Sequence, residues 1–126
     1  MLISVHGLIR GDDLELGRDA DTGGQTQYVV ELARALGRHP RVDRVDLVTR
    51  RVLDRRVSGD YARSEEPLGE NARIVRINCG PDRYIPKESL WPHLDGMVDQ
   101  LLDFLRGEGR VPDLVHGHYA DAGYVA

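Results

Sequence analysis

Four short apolar runs, each parted from the next by a long connection, decide what this chain can fold into. They are Leu2-Ile3-Ser4-Val5-His6, Val45-Asp46-Leu47-Val48-Thr49, Ala72 to Cys79, and Asp113-Leu114-Val115-His116. Short runs of this kind, rich in Val, Ile and Leu, read as strands. Strands joined through helices or long crossovers lie parallel, in a sheet covered on both faces. The connections supply the helices. Val29, Leu32, Ala33 and Leu36 fall at i, i+3, i+4 and i+7, with Thr22 or Asp21 to cap the start and Gly37 to end the helix. Leu94, Met97, Val98, Leu101, Leu102 and Leu105 share one face of a second helix, which Gly107 and Gly109 terminate. Residues 51–71 are polar and read as a surface connection. Residues 81–92, broken by Pro81, Pro86 and Pro92, read as irregular.

The fold class that follows is α/β, a partial Rossmann-like three-layer fold. Its parallel sheet takes the spatial order 3-2-1-4 when the strands are numbered along the chain. That order puts the loops after the first and fourth strands on either side of the switch point, where open α/β sheets bind ligands. Length and charge narrow the field. A chain of 126 residues makes one compact domain. A net charge of -4 gives no bulk attraction to nucleic acid or to an anionic membrane. No apolar run approaches the ~20 residues of a membrane span. The single cysteine, Cys79, excludes an internal disulfide framework, and no export signal opens the chain. A cytoplasmic protein is expected.

Both unusual motifs fall in the two switch-point loops. Gly23-Gly24-Gln25 opens the first helix. Two glycines let a ligand approach the backbone, and free N–H groups with the helix dipole favour an anion such as phosphate; a plain turn and helix start fits the same residues. A nicotinamide dehydrogenase would place three glycines as G-x-G-x-x-G in a tight turn, then an acid after the second strand. Here the loop is long, the glycines are adjacent, and the second strand ends in Thr49-Arg50-Arg51. His116-Gly117-His118-Tyr119-Ala120-Asp121 closes the fourth strand. Two histidines at this spacing suggest a metal, but no third ligand is near, so a ligand-contacting rim is expected. Asp12, Asp13, Glu15, Asp19 and Asp21 do not match a calcium loop and read as solvated acid. Sixteen of the seventeen cationic side chains are arginine, and Lys87 is the exception. In its proline-stiffened segment it is either an exposed lysine or a point charge for a phosphate, with Arg83 a second candidate. Trp91 and Pro92 read as packing.

These residues carry a resemblance. Val5-His6-Gly7-Leu8, then Leu14 to Gln25 (LELGRDADTGGQ), resembles the start of the sucrose-phosphate synthases. Tyr28 to Leu36 (YVVELARAL), Asp46 to Arg50 (DLVTR), Tyr84 to Pro92 (YIPKESLWP) and His116 to Gly123 (HGHYADAG) continue it over nearly the whole chain. Sucrose synthase is similar but lacks the Gly-Arg-Asp-Ala before Asp-Thr-Gly-Gly-Gln. Mannosylfructose-phosphate synthase is similar too.

The resemblance implies a retaining glycosyltransferase of two Rossmann domains, the GT-B arrangement, moving glucose from UDP-glucose to fructose 6-phosphate. It implies that residues 1–126 are part of the N-terminal, acceptor-side domain, with the donor-binding domain absent. Gly23 and Gln25 would contact fructose 6-phosphate, and Lys87 would help hold it. The Gly24 backbone would face the donor's diphosphate, while His116, His118 and Tyr119 would line the cleft. No metal and no cofactor is implied, since positive groups and helix dipoles stabilise the leaving diphosphate. The family's active-site histidine and paired glutamates have no counterpart here, so no catalytic residue is assigned. The chain alone is expected not to transfer glucose, and to be either a residual sugar-phosphate-binding piece or a non-catalytic assembly module. With its fourth strand as an open edge, self-association or a poorly ordered C-terminus is expected.

Overall fold

A computed structural model describes residues 1–126. Eight elements carry the fold. They are β1 (Leu2–Ile3), α1 (Gly24–Gly37), β2 (Val45–Arg50), β3 (Glu65–Pro67), β4 (Ala72–Ile77), α2 (Leu94–Glu108), β5 (His116–Gly117) and α3 (Tyr119–Val125). Short 3-10 turns lie at Gly59–Ala62, Lys87–Ser89 and Trp91–His93. No helix is long and apolar enough to cross a membrane.

The sheet runs β3-β4-β2-β1-β5. All neighbours are parallel except β3, which pairs antiparallel with β4. The four expected strands therefore stand in the expected order, with one added edge. Because side chains alternate across a strand, each central strand feeds both layers. Leu2, Leu47 and Ile74 meet Val29, Val30 and Ala33 of α1 on one face. Ile3, Val48 and Val75 meet Leu94, Met97 and Leu101 of α2, with Ala122 and Val125 of α3, on the other. Each such aliphatic side chain, once buried, contributes about 1.5–3 kcal/mol. Three layers result, with the sheet in the middle.

Several expectations need correction. Neither Thr22 nor Asp21 caps α1; the N-cap is Gly23, with no side-chain hydrogen bond. Gly107 lies inside α2, and Gly109 alone ends it, in the left-handed conformation at φ 68. Leu102 is 45% exposed, so the buried stripe of α2 is narrower than the sequence pattern. The fourth strand is shorter than expected, and Leu114 is 70% exposed beside it.

Residues 51–71 are more than a surface connection. They include β3 and bury Val52, Tyr61, Glu66 and Leu68. Glu66 accepts from Arg76 of β4 at 2.6 Å and from the Gly11 amide at 2.9 Å. The edge strand thereby pins the long loop after β1. The acidic loop is likewise only partly solvated. Asp12 and Asp13 are exposed, but Glu15 accepts from the Tyr61 hydroxyl at 2.6 Å, and Asp19 and Asp21 are built into the loop.

Candidate functional site

The carboxyl ends of β1 and β5 open onto one cleft of about 430 Å³, lined by Gly24, Gln25, Tyr28, Gly117, His118 and Tyr119. The two motifs read from the switch-point loops therefore meet. One wall is the start of α1. The chain reaches it through Gly7, whose φ of 84 and close approach to the Asp21 carbonyl (a Cβ would stand 2.5 Å from that oxygen) admit glycine only. Thr22 Oγ1 then accepts from the Leu8 amide at 3.2 Å, closing the long loop onto its own beginning.

Gly23 and Gly24 are a different case. Gly23 sits at φ -119, which any residue adopts, and a Cβ at either position would meet no protein atom within 4 Å. Neither packing nor backbone geometry asks for glycine there. Gly24 lines the cleft, and Gly23 lies just outside its lining. The first turn of α1 holds no acidic residue to offset the positive end of the helix dipole. Gln25 is anchored beside them, donating its amide to Ser4 Oγ at 2.7 Å.

The opposite wall is Gly117-His118-Tyr119. His118 presents an edge to Tyr28 at a centroid distance of 5.8 Å and stacks on His116 at 4.4 Å. Its Nε2 is enclosed and has no hydrogen-bond partner. Burial, reinforced by the neighbouring His116, lowers the His118 pKa, so the ring is neutral near pH 7. Tyr119 is a non-glycine residue at φ 72 and is 62% exposed. His116 itself is exposed, and no group of three metal-ligating side chains occurs in the chain.

Lys87 is not in the lining of this cleft. Its backbone N–H donates to Asp21 Oδ2 at 2.8 Å, and its ammonium stands 3.6 Å from Asp21 Oδ1. Asp21 is buried two residues before the diglycine, so it tethers the lysine to the same loop. Arg83 is exposed, and its part is structural: its carbonyl accepts from buried Arg50 at 2.6 Å. Trp91 is half-exposed, its ring centroid 6.0 Å from that of Tyr124, so it is a surface contact rather than core.

A second cavity, of about 330 Å³, lies at the opposite end of the sheet. Three of its charged residues form a network, with Arg44 bonded to both Asp46 and Glu108. It is a clasp between β2 and α2.

Sequence reasoning missed two residues behind the cleft. His6 and Asp121 are each 4% exposed, and His6 Nδ1 lies 2.7 Å from Asp121 Oδ2. The His6 ring meets the Tyr119 ring edge-on at 5.0 Å. Burial alone pushes the His6 pKa down. The hydrogen bond and charge of Asp121, with help from Asp21 and Gln25, outweigh it and raise the pKa above the ordinary histidine value. No periodicity marks such a pair. Its only signal is that both residues follow closely on strands, β1 and β5, that become neighbours.

No family model matches the chain. It is 49% identical over 151 aligned residues to a probable sucrose-phosphate synthase 1 of Oryza sativa subsp. indica, covering 100% of this chain and 14% of that protein. It is 50% identical to a sucrose-phosphate synthase of Zea mays, again with 100% of this chain and 14% of that protein covered. Among solved structures, a sucrose-phosphate synthase from Thermosynechococcus elongatus superposes with a TM-score of 0.76 at 31% identity, covering 98% of this chain and 28% of that one. The chain thus spans 14% of the length of the curated relatives.

Proposed function

Because this chain belongs with the sucrose-phosphate synthases along its whole length, we propose that it is part of the acceptor side of a retaining GT-B glycosyltransferase. The parent reaction is transfer of glucose from UDP-glucose to fructose 6-phosphate, giving sucrose 6-phosphate. The observation that carries this reading is the diglycine start of α1, where a Cβ at either position would meet no protein atom and Gly24 lines the cleft.

Each residue has a role in that chemistry. The Gly23 and Gly24 backbone gives a sugar phosphate and the donor's diphosphate room against the helix N-terminus, whose N–H groups stabilise negative charge. Gln25 spends one N–H on Ser4 and keeps a second for an acceptor hydroxyl. His118, neutral and with Nε2 unpartnered, and Tyr119 form the facing wall. Lys87 adds a point charge at the side of the loop. The part these residues play in that reaction is to position the substrates.

Calorimetry on the chain tests this directly. Fructose 6-phosphate is expected to bind more tightly than fructose, and UDP-glucose only weakly. Equal affinity for fructose and its phosphate, or binding of neither, would sink the reading. In the parent enzyme, UDP release should require the phosphorylated acceptor.

A second reading rests on a separate observation. Val111, Leu114 and Val115 are exposed beside the open edge of β5. That surface supports self-association of the isolated chain. Light scattering should show mass rising with concentration; a monodisperse monomer at every concentration would exclude it.

A further inference from the structure

On the α1 face of the sheet, three neighbouring strands turn polar at the same level. Leu2 stands beside Leu47 in the parallel register and Leu47 beside Ile74, all buried under α1. Two residues further on, where the same face recurs, the chain places Ser4, Thr49 and Arg76. Thr49 and Arg76 are cross-strand partners, and the Ser4 amide carries the pairing with β2 onward by donating to the Val48 carbonyl at 2.9 Å. Ser4 is 0% exposed, Thr49 1% and Arg76 4%. Buried polar side chains are costly unless they are hydrogen-bonded, so a row of them ending an apolar face calls for a reason.

The two ends of the row supply it. At one end, Arg76 donates to the Ile9 carbonyl at 2.9 Å and to Glu66 at 2.6 Å, and Glu66 accepts from the Gly11 amide, which pins the long loop after β1. At the other end, Ser4 Oγ accepts from Gln25 Nε2 at 2.7 Å. We propose that Ser4 is a positioning residue, which fixes the Gln25 amide in the cleft before the acceptor sugar arrives. The inference rests on the acceptor-side reading above and deepens it.

Gln25 lines the cleft and Ser4 does not, so Ser4 acts through Gln25. The neighbours Gly23 and Gly24 have no side chains to confine the glutamine in the first turn of α1. Ser4 is itself immobile, enclosed on all sides and tied to β2 through its amide. An amide is planar, so holding one N–H sets the direction of the other N–H and of the carbonyl oxygen. These are one donor and one acceptor, the two things a sugar hydroxyl can pair with. A free glutamine side chain loses rotamer freedom when a ligand fixes it, and anchoring it in advance removes that cost from binding. Between the two ends of the row, Thr49 Oγ1 has no hydrogen-bond partner. The ends therefore work separately, and Gln25 depends on Ser4 rather than on the row as a whole.

Calorimetry of the 126-residue chain with fructose 6-phosphate tests this through a cycle of variants. Ser4→Ala should weaken binding about fivefold, the scale of one hydrogen bond, and Gln25→Ala at least as much. Added to Gln25→Ala, the Ser4→Ala change should cost nothing further, because its effect passes through that amide. Thr49→Val, which removes a buried hydroxyl with no partner from the next strand, should leave the affinity unchanged. A serine with a merely structural part would weaken binding equally with and without Gln25, and that result overturns the proposal. So does a Ser4→Ala chain that binds as tightly as the unsubstituted one, or a Thr49→Val chain weakened to the same degree as Ser4→Ala. Should Ser4→Ala fail to fold, the unsubstituted chain decides. By NMR relaxation without ligand, the Gln25 side-chain amide should be rigid and that of exposed Gln100 mobile; equal mobility overturns the proposal. In each of these cases the acceptor-side reading stands. If the unsubstituted chain does not bind fructose 6-phosphate, that reading falls and takes this one with it.

Discussion

The loop after β1 and the segment after β5 face each other across the cleft, yet they are fixed in different ways. In the first, the Asp19 carboxylate accepts from the amides of Asp21 and Thr22 at 2.8 and 3.0 Å, and from the Tyr84 hydroxyl at 2.9 Å. Glu66 and Arg34 hold the two ends of the Gly11 peptide, at 2.9 and 2.6 Å. The second has a backbone bond from the His118 amide to Ile3 at 2.9 Å and the His6–Asp121 bond behind it. It leaves His118 Nε2 unpartnered and Tyr119 in a left-handed conformation. The loop behind one wall is held by side-chain hydrogen bonds before any ligand arrives. The other holds unmet hydrogen-bonding capacity and backbone strain, two things a ligand can relieve.

The largest expected effect breaks the loop held by those bonds. Asp19→Ala strips several donors of one acceptor at once and should cost about 2 kcal/mol or more. His118→Ala removes a ring whose Nε2 bonds nothing, and should change stability by less than about 0.5 kcal/mol. Urea unfolding of the two variants checks the contrast. Equal losses would show that the walls are equally organised by their side chains.

A smaller effect separates the walls by pH. The raised His6 pKa means that its contribution to stability is full below the unfolded-state value near 6.5 and is lost as pH rises through the folded value. The lowered His118 pKa acts in the opposite direction: the unfolded chain takes up the proton first, so stability falls as pH drops below about 6.5 and levels off beneath the folded value. Unfolding midpoints from pH 5 to 8.5 should therefore lose their alkaline decline in Asp121→Asn and their acid decline in His118→Ala. A pH profile identical in all three chains would remove the electrostatic part of the comparison.

The same contrast explains what the sequence disclosed. The central strands were legible because their apolar runs feed two buried layers, as Leu47 and Val48 show by pointing into different clusters. The cleft was legible because both motifs sit in the loops that strand order brings together. Three things were not. β3 reads Glu65-Glu66-Pro67, with no apolar alternation, and it pairs with β4 while Glu66 accepts from Arg76. Tyr84 and Asp19 are 65 residues apart, so the loop's order depends on contacts no local pattern encodes. Lys87 looked free in sequence, and only the fold shows it tied to Asp21. What remained hidden is polar pairing at long range, where no periodicity repeats.

The smallest effect isolates the strain in the yielding wall. Tyr119 at φ 72 carries the cost of a left-handed residue with a Cβ, about 1–2 kcal/mol. Tyr119→Ala removes the ring contact with His6 but keeps the Cβ. Tyr119→Gly removes both. If the strain is real, the glycine chain is the more stable of the two by about 0.5–1 kcal/mol, even though glycine gives the unfolded chain more freedom. The loss of the ring is common to both and cancels in the difference. An alanine chain as stable as the glycine chain would mean that the segment relaxes out of the left-handed region once the tyrosine is gone. The conformation would then be held by the Tyr119–His6 contact rather than by the turn from β5 into α3.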